Sequence, residues 1–260
     1  MTLDAQAQGL LDQLSAQGVP DFADMTVDSA RGFMSAFLDL EGPAQPVESV
    51  RDALVPGADG NEIPVRIYRP HASGVRPVIV YFHGGGWVLG DIEVADKPCR
   101  QLANTTGSVV VSVEYRLAPE HKAPAAAQDC YSATAWVAEH AAELGGDPAR
   151  LAVAGDSAGG NLAAVVALMA RDRGTPSLAL QLLIYPITDV ARERVANGVG
   201  YLLTRRAMDW FEGHYLAGPD DVDNPYVAPL RMENLAGLPP AAVVTAGYCP
   251  LRAEGEAYLA

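Results

Sequence analysis

Long apolar runs, basic clusters and patterned cysteines are all missing from this chain of 260 residues. No stretch approaches the roughly 20 consecutive apolar residues that a membrane-spanning helix needs, so no membrane is expected as a partner. The opening, MTLDAQAQGLLDQLSAQGVPDF, has neither a basic start nor an apolar core and does not read as a secretion signal. Lysine and arginine number 18 against 32 aspartates and glutamates, a formal charge of −14. Nucleic acids and anionic membranes require a basic face, and this charge argues against both. The three cysteines, Cys99, Cys130 and Cys249, are widely spaced and frame neither a disulfide set nor a metal site. A cytoplasmic, reduced protein is expected, with no metal and no cofactor.

What the chain does have is enough apolar material for one large domain. Hydrophobic residues make up 49%, and a chain of this length buries roughly 70–75% of its unfolded surface. Residues 1–45 read as helical, with Val27, Ala30, Phe33, Met34 and Phe37 at helical spacing. A hairpin follows, turning at Asp59-Gly60. Then come short, barely alternating runs at 77–82, 108–113, 151–155, 179–185 and 241–246, the pattern of strands buried on both faces. Helical stretches at 125–142 and 157–171 separate some of them. Strand and helix in alternation imply an α/β fold built on a mostly parallel, doubly wound sheet.

Two glycine-rich turns carry the chemistry. Gly155-Asp156-Ser157-Ala158-Gly159 fits G-x-S-x-G between a strand and a helix, a sharp turn that lifts a serine hydroxyl clear of the backbone. The amide of Ala158 then lies at a helix N-terminus, where negative charge is favoured. The other reading is a plain turn with Ser157 as helix cap. Upstream, His83-Gly84-Gly85-Gly86 follows the strand at 77–82. Consecutive glycines leave amides uncovered, as an oxyanion hole requires. A dinucleotide loop is the alternative, although Gly84, Gly86 and Gly90 give a spacing one residue too long for it. His83 is expected to brace this loop through hydrogen bonds.

With YRLAPEHKAPAA (115–126), YPITD (185–189) and LPPAAVVTAGY (238–248), these turns resemble the hormone-sensitive-lipase branch of the α/β-hydrolases, the bacterial family IV carboxylesterases. The resemblance implies that fold with a helical cap and hydrolysis of small-molecule, short-acyl esters. It implies Ser157 as nucleophile, with an oxyanion hole from Ala158 and two of Gly84, Gly85 and Gly86, the latter pair favoured. It also implies a division into N-terminal cap helices (1–45), core (46–187), cap insertion (188–216) and core continuation (217–260). The family's acid is replaced, since Cys249 stands in CPLRAEG where the pattern has Asp and Ala253 replaces a second Asp. The 11 residues after Cys249 contain no histidine. Of His71, His83, His121, His140 and His214, none falls on the expected loop, and only His214 in the cap could be imagined swinging toward Ser157. Asp189 reads as structural. The resemblance further implies a last strand and helix beyond residue 260, which would leave strand 241–246 as an apolar edge where a second copy could pair. Impaired hydrolysis, ligand binding without turnover (as in the plant gibberellin receptors, which share the fold), and a shortened product of an esterase gene are the three expectations.

Overall fold

The computed structural model describes residues 3–36, 38, 42–190 and 201–259; Phe37 and part of the predicted cap insertion lie outside the described residues. Two N-terminal helices, α1 (Ala5–Ala16) and α2 (Val27–Ala36), precede the sheet. Residues 42–45, read from the sequence as helical, carry no helix. Pro43 and Pro46 lack the backbone donor that a helix would use there.

Strands β1 (Ser49–Pro56) and β2 (Glu62–Arg69) form the hairpin, with Gly60 at φ +78° in its turn. Then follow β3 (Arg76–Phe82), α3 (Ile92–Thr106), β4 (Val109–Val113), α4 (Ala125–His140), β5 (Gly146–Asp156), α5 (Ala158–Arg173), β6 (Leu180–Ile184), α6 (Arg205–Tyr215), β7 (Ala241–Val244) and α7 (Arg252–Ala257). The strands make one sheet in the order β1-β2-β4-β3-β5-β6-β7. β2 runs antiparallel to both of its neighbours, and every pairing from β4 to β7 is parallel.

The lack of alternation in the strands has its expected cause. Val78, Val80 and Phe82 of β3 enter the larger core, with α4 and α5, while Ile79 and Tyr81 enter a smaller one beneath α3. α5 is buried without a break from Ala158 to Ala170, which its small, apolar sequence permits. α3 escaped the sequence reading because Pro98 sits inside it. Its ends are nonetheless well set, by the Asp91 side chain accepting from Val94 N at 2.8 Å and by Gly107 in the left-handed conformation.

Candidate active site

β5 ends at Asp156 and α5 begins at Ala158, so Ser157 occupies the turn between them at the carboxyl end of the parallel strands. Its φ is +55° and its ψ −116°, a sparsely populated positive-φ conformation that costs a non-glycine residue of order 1–3 kcal/mol. Backbone bonds fix the turn: Ser157 N donates to Ile184 O at 2.9 Å, and Ser157 O accepts from Asn161 N at 3.0 Å and Ile187 N at 3.2 Å. The glycines allow close approach. A Cβ on Gly159 would overlap the carbonyl oxygens of Phe82 and His83, and one on Gly155 would overlap the Gly159 carbonyl. The start of α5 therefore presses on the end of β3. Ser157 itself is half-buried. Behind it, the buried Asn161 amide donates to Ile187 O at 2.9 Å and Val227 O at 2.8 Å.

That contact brings the His83-Gly84-Gly85-Gly86 loop beside the serine turn. Asp156 ties the two together: its Oδ1 accepts from Gly84 N at 2.9 Å and from the Tyr81 hydroxyl at 2.7 Å. Burial pushes its carboxyl above the usual range, opposed by the Tyr81 bond. Gly84 is thus committed, and a Cβ there would land on the Asp156 carboxylate. The amides of Gly85, Gly86 and Ala158 have no hydrogen-bond partner among the described residues. Of the three glycines, Gly84 is the one whose amide is bonded among the described residues. Asp156 and Tyr81 were missed as loop anchors. The only signal was the acid's place beside the serine.

His83 braces the loop. Its Nδ1 donates to Gly84 O at 2.7 Å, its ring stacks on Tyr115 at 4.3 Å, and the Tyr115 hydroxyl donates to His83 O at 2.7 Å. The ring is buried, and desolvation lowers its pKa, so it is held neutral. The unfolded chain, with an ordinary value of about 6.5, takes up a proton that the folded chain refuses. Stability contributed by the neutral ring is therefore complete above about pH 6.5 and falls as pH drops below it, by at most about 1.4 kcal/mol per pH unit. Urea denaturation between pH 7 and 5 should reveal this slope, and a His83→Gln chain should lack that component of it.

None of the remaining histidines is hydrogen-bonded to Ser157 among the described residues. His214 Nδ1 is bonded to Trp210 O and His140 Nδ1 to Trp136 O, both at 2.8 Å on their own helices, while His71 and His121 are exposed. Cys249 lines a cleft of about 490 Å³ with Tyr201, Tyr248, Arg252 and Glu256, and burial raises its thiol pKa. Tyr185 lies near both Asp156 and Cys249; burial, then those two charges, push its phenol up to about 12. Asp189 pairs with Arg231 at 3.0 Å, a structural role. α7 is fastened to the chain after β6, Thr188 Oγ1 donating to Glu254 O at 2.7 Å. Among the described residues no cluster of His, Cys, Asp or Glu could hold a metal, and no helix is long and apolar enough to cross a membrane.

The sequence matches a family model described as alpha/beta hydrolase fold over residues 79–260. It is 45% identical to the carboxylic ester hydrolase LipN of Mycobacterium tuberculosis, over 99% of this chain and 71% of that protein. An arylesterase of Saccharolobus solfataricus is 38% identical over 99% of this chain and 85% of its own length. Among solved structures, a hyperthermophilic esterase from Pyrobaculum calidifontis superposes with a TM-score of 0.91 at 44% identity, covering 99% of this chain and 84% of that one.

Proposed function

The chain belongs to the alpha/beta hydrolase fold family, and from that premise we propose that it hydrolyses short-acyl carboxylic esters, with Ser157 as nucleophile. The observation that carries this reading is the meeting of a half-buried serine on a positive-φ turn with three amides that lack partners among the described residues, those of Ala158, Gly85 and Gly86. Ser157 Oγ bonds to the ester carbonyl carbon, and the carbonyl oxygen takes the negative charge and accepts from those amides. One such donor is typically worth about 3–4 kcal/mol. Collapse expels the alcohol, and water then releases the acid from the acyl-serine.

The weak point is the serine proton. Among the described residues no histidine is hydrogen-bonded to Ser157, so with these residues alone solvent takes the proton and hydrolysis is slow. An oxyanion hole and a binding cleft without a working triad sustain roughly 10³–10⁴-fold acceleration over water. Turnover of p-nitrophenyl acetate should therefore be feeble, exceed that of Ser157→Ala, and climb with pH instead of levelling near 7 as a histidine base would make it. Equal rates for the two chains would remove Ser157 from catalysis; saturable ester binding without turnover would then mark a binding protein on the same scaffold. A cytoplasmic location and self-association along β7, where Val244 is half exposed, complete the proposal.

A further inference from the structure

The glycine loop contains a residue that has no business in its conformation. Gly85, Gly86 and Trp87 follow one another at φ +116°, +60° and +61°. Glycine adopts such angles freely; tryptophan does so only where its surroundings over-determine it. Those surroundings come from α6. The Tyr215 ring stacks on Trp87 with centroids 4.2 Å apart and planes 5° from parallel, both residues being fully buried. Neither the Trp87 Nε1 nor the Tyr215 hydroxyl has a hydrogen-bond partner among the described residues, and the contact is made by ring faces. One turn earlier on α6, the Phe211 ring occupies the space that a Cβ on Gly86 would need.

α6 is itself held firmly. Thr204 caps its start, accepting from Ala207 N at 3.0 Å and bonding to Asp21 through the same hydroxyl. Ala123 N donates to Tyr215 O at 2.9 Å, and Lys122 Nζ donates to Leu216 O at 2.7 Å just past its end. Phe22, between α1 and α2, packs on Phe211 at 5.4 Å. On the core side, Trp87 O accepts from Ala118 N at 2.9 Å.

We infer that Tyr215 is a positioning residue: its stack on Trp87 holds the left-handed run of the loop, and so aims the amides of Gly85 and Gly86. Docking of α6 thereby completes the oxyanion hole, an inference that rests on the proposed role of those amides. Two variants separate the ring face from the hydroxyl. Tyr215→Phe keeps the stack and should match the parent in kcat. Tyr215→Leu should lower kcat on p-nitrophenyl acetate roughly 10- to 100-fold, with KM within about twofold, because the donors act on the transition state. The backbone amide resonances of Gly85 and Gly86 in a 15N-labelled protein supply a second readout, independent of turnover. They should move or broaden in Tyr215→Leu and stay put in Tyr215→Phe. Should the leucine chain fail to fold, Tyr215→Met keeps a long apolar side chain without a ring face and takes its place. A leucine or methionine variant that keeps both kcat and the two resonances would overturn the inference. So would a loss of rate that merely tracks the folded fraction. If the parent is no faster than Ser157→Ala, the hydrolase reading fails by itself, and the two resonances alone decide the role of Tyr215.

Discussion

A Gly159→Ala chain is expected to lose more than about 4 kcal/mol of stability, at the exceptional end of single-residue effects, or to fail to fold. The backbone angles at this position are not the obstacle, since Gly159 already lies in α5. The obstacle is what an added methyl would meet: the carbonyl oxygens of Phe82 and His83, backbone atoms that cannot rotate away as a flexible side chain would. Relief would require the end of β3 to part from the start of α5, and with it the glycine loop from the serine turn. Gly213 gives the contrast. It is also helical, in α6, but a Cβ there meets nothing within 4 Å. Gly213→Ala should stabilise by about 0.5–1 kcal/mol, because alanine loses less freedom in a helix. Urea denaturation of the two chains measures both effects. A Gly159→Ala protein within about 1 kcal/mol of the parent would mean that the strand and helix approach less closely than described here.

The second large effect concerns Asp156. Removing its side chain orphans two donors, the Tyr81 hydroxyl and Gly84 N, both of which it accepts at one oxygen. Each donor left unpaired costs about 1–3 kcal/mol, so Asp156→Ala should lose about 2–6 kcal/mol. Its Ser157-dependent turnover should fall too, because Gly84 then keeps only its carbonyl bond to His83 and loses the tie to the serine turn. Asp156→Asn presents a carbonyl at the same place without a charge to desolvate, and should stay within about 1 kcal/mol of the parent. The pH dependence separates the parent from both variants. Burial raises the Asp156 carboxyl pKa in the folded state, so between the ordinary value near 3.9 and the raised one the folded chain holds more protons than the unfolded. Through that window this group makes stability fall as pH rises, and the asparagine variant should lack the slope. Equal stabilities for the alanine and asparagine chains would show that the carboxylate does not anchor the loop.

Much of this arrangement was legible because local chemistry dictates it. A serine between glycines after a buried strand has few ways to turn, and three glycines in a row leave amides bare. The parallel strands were legible too, since burial on both faces removes alternation. Their ends were not: β7 stops at Val244, two residues short of the apolar run, and β5 begins at Gly146, opposite Arg76, ahead of any apolar signal. α3 was hidden by Pro98. The anchors of the site were hidden for a different reason. Tyr81 and Asp156 are 75 residues apart, and their meeting depends on two strands lying side by side. The stack of Trp87 on Tyr215 likewise spans two segments with no shared pattern, so no window along the sequence contains it.

The buried amide of Asn161 grips the chain where it departs at Ile187 and again where it comes home at Val227. The described residues of that stretch, 188–190 and 201–226, hang between two points on one helix. Such an excursion can be lengthened, shortened or swapped at modest entropic expense, for closure penalties grow only with the logarithm of length. Within it, α6 is the part an exchange must keep, since Tyr215 and Phe211 press on the glycine loop beside the serine. A grafted stretch that keeps Tyr215 over Trp87 is therefore the natural unit for changing what this scaffold admits, with the reacting centre left alone.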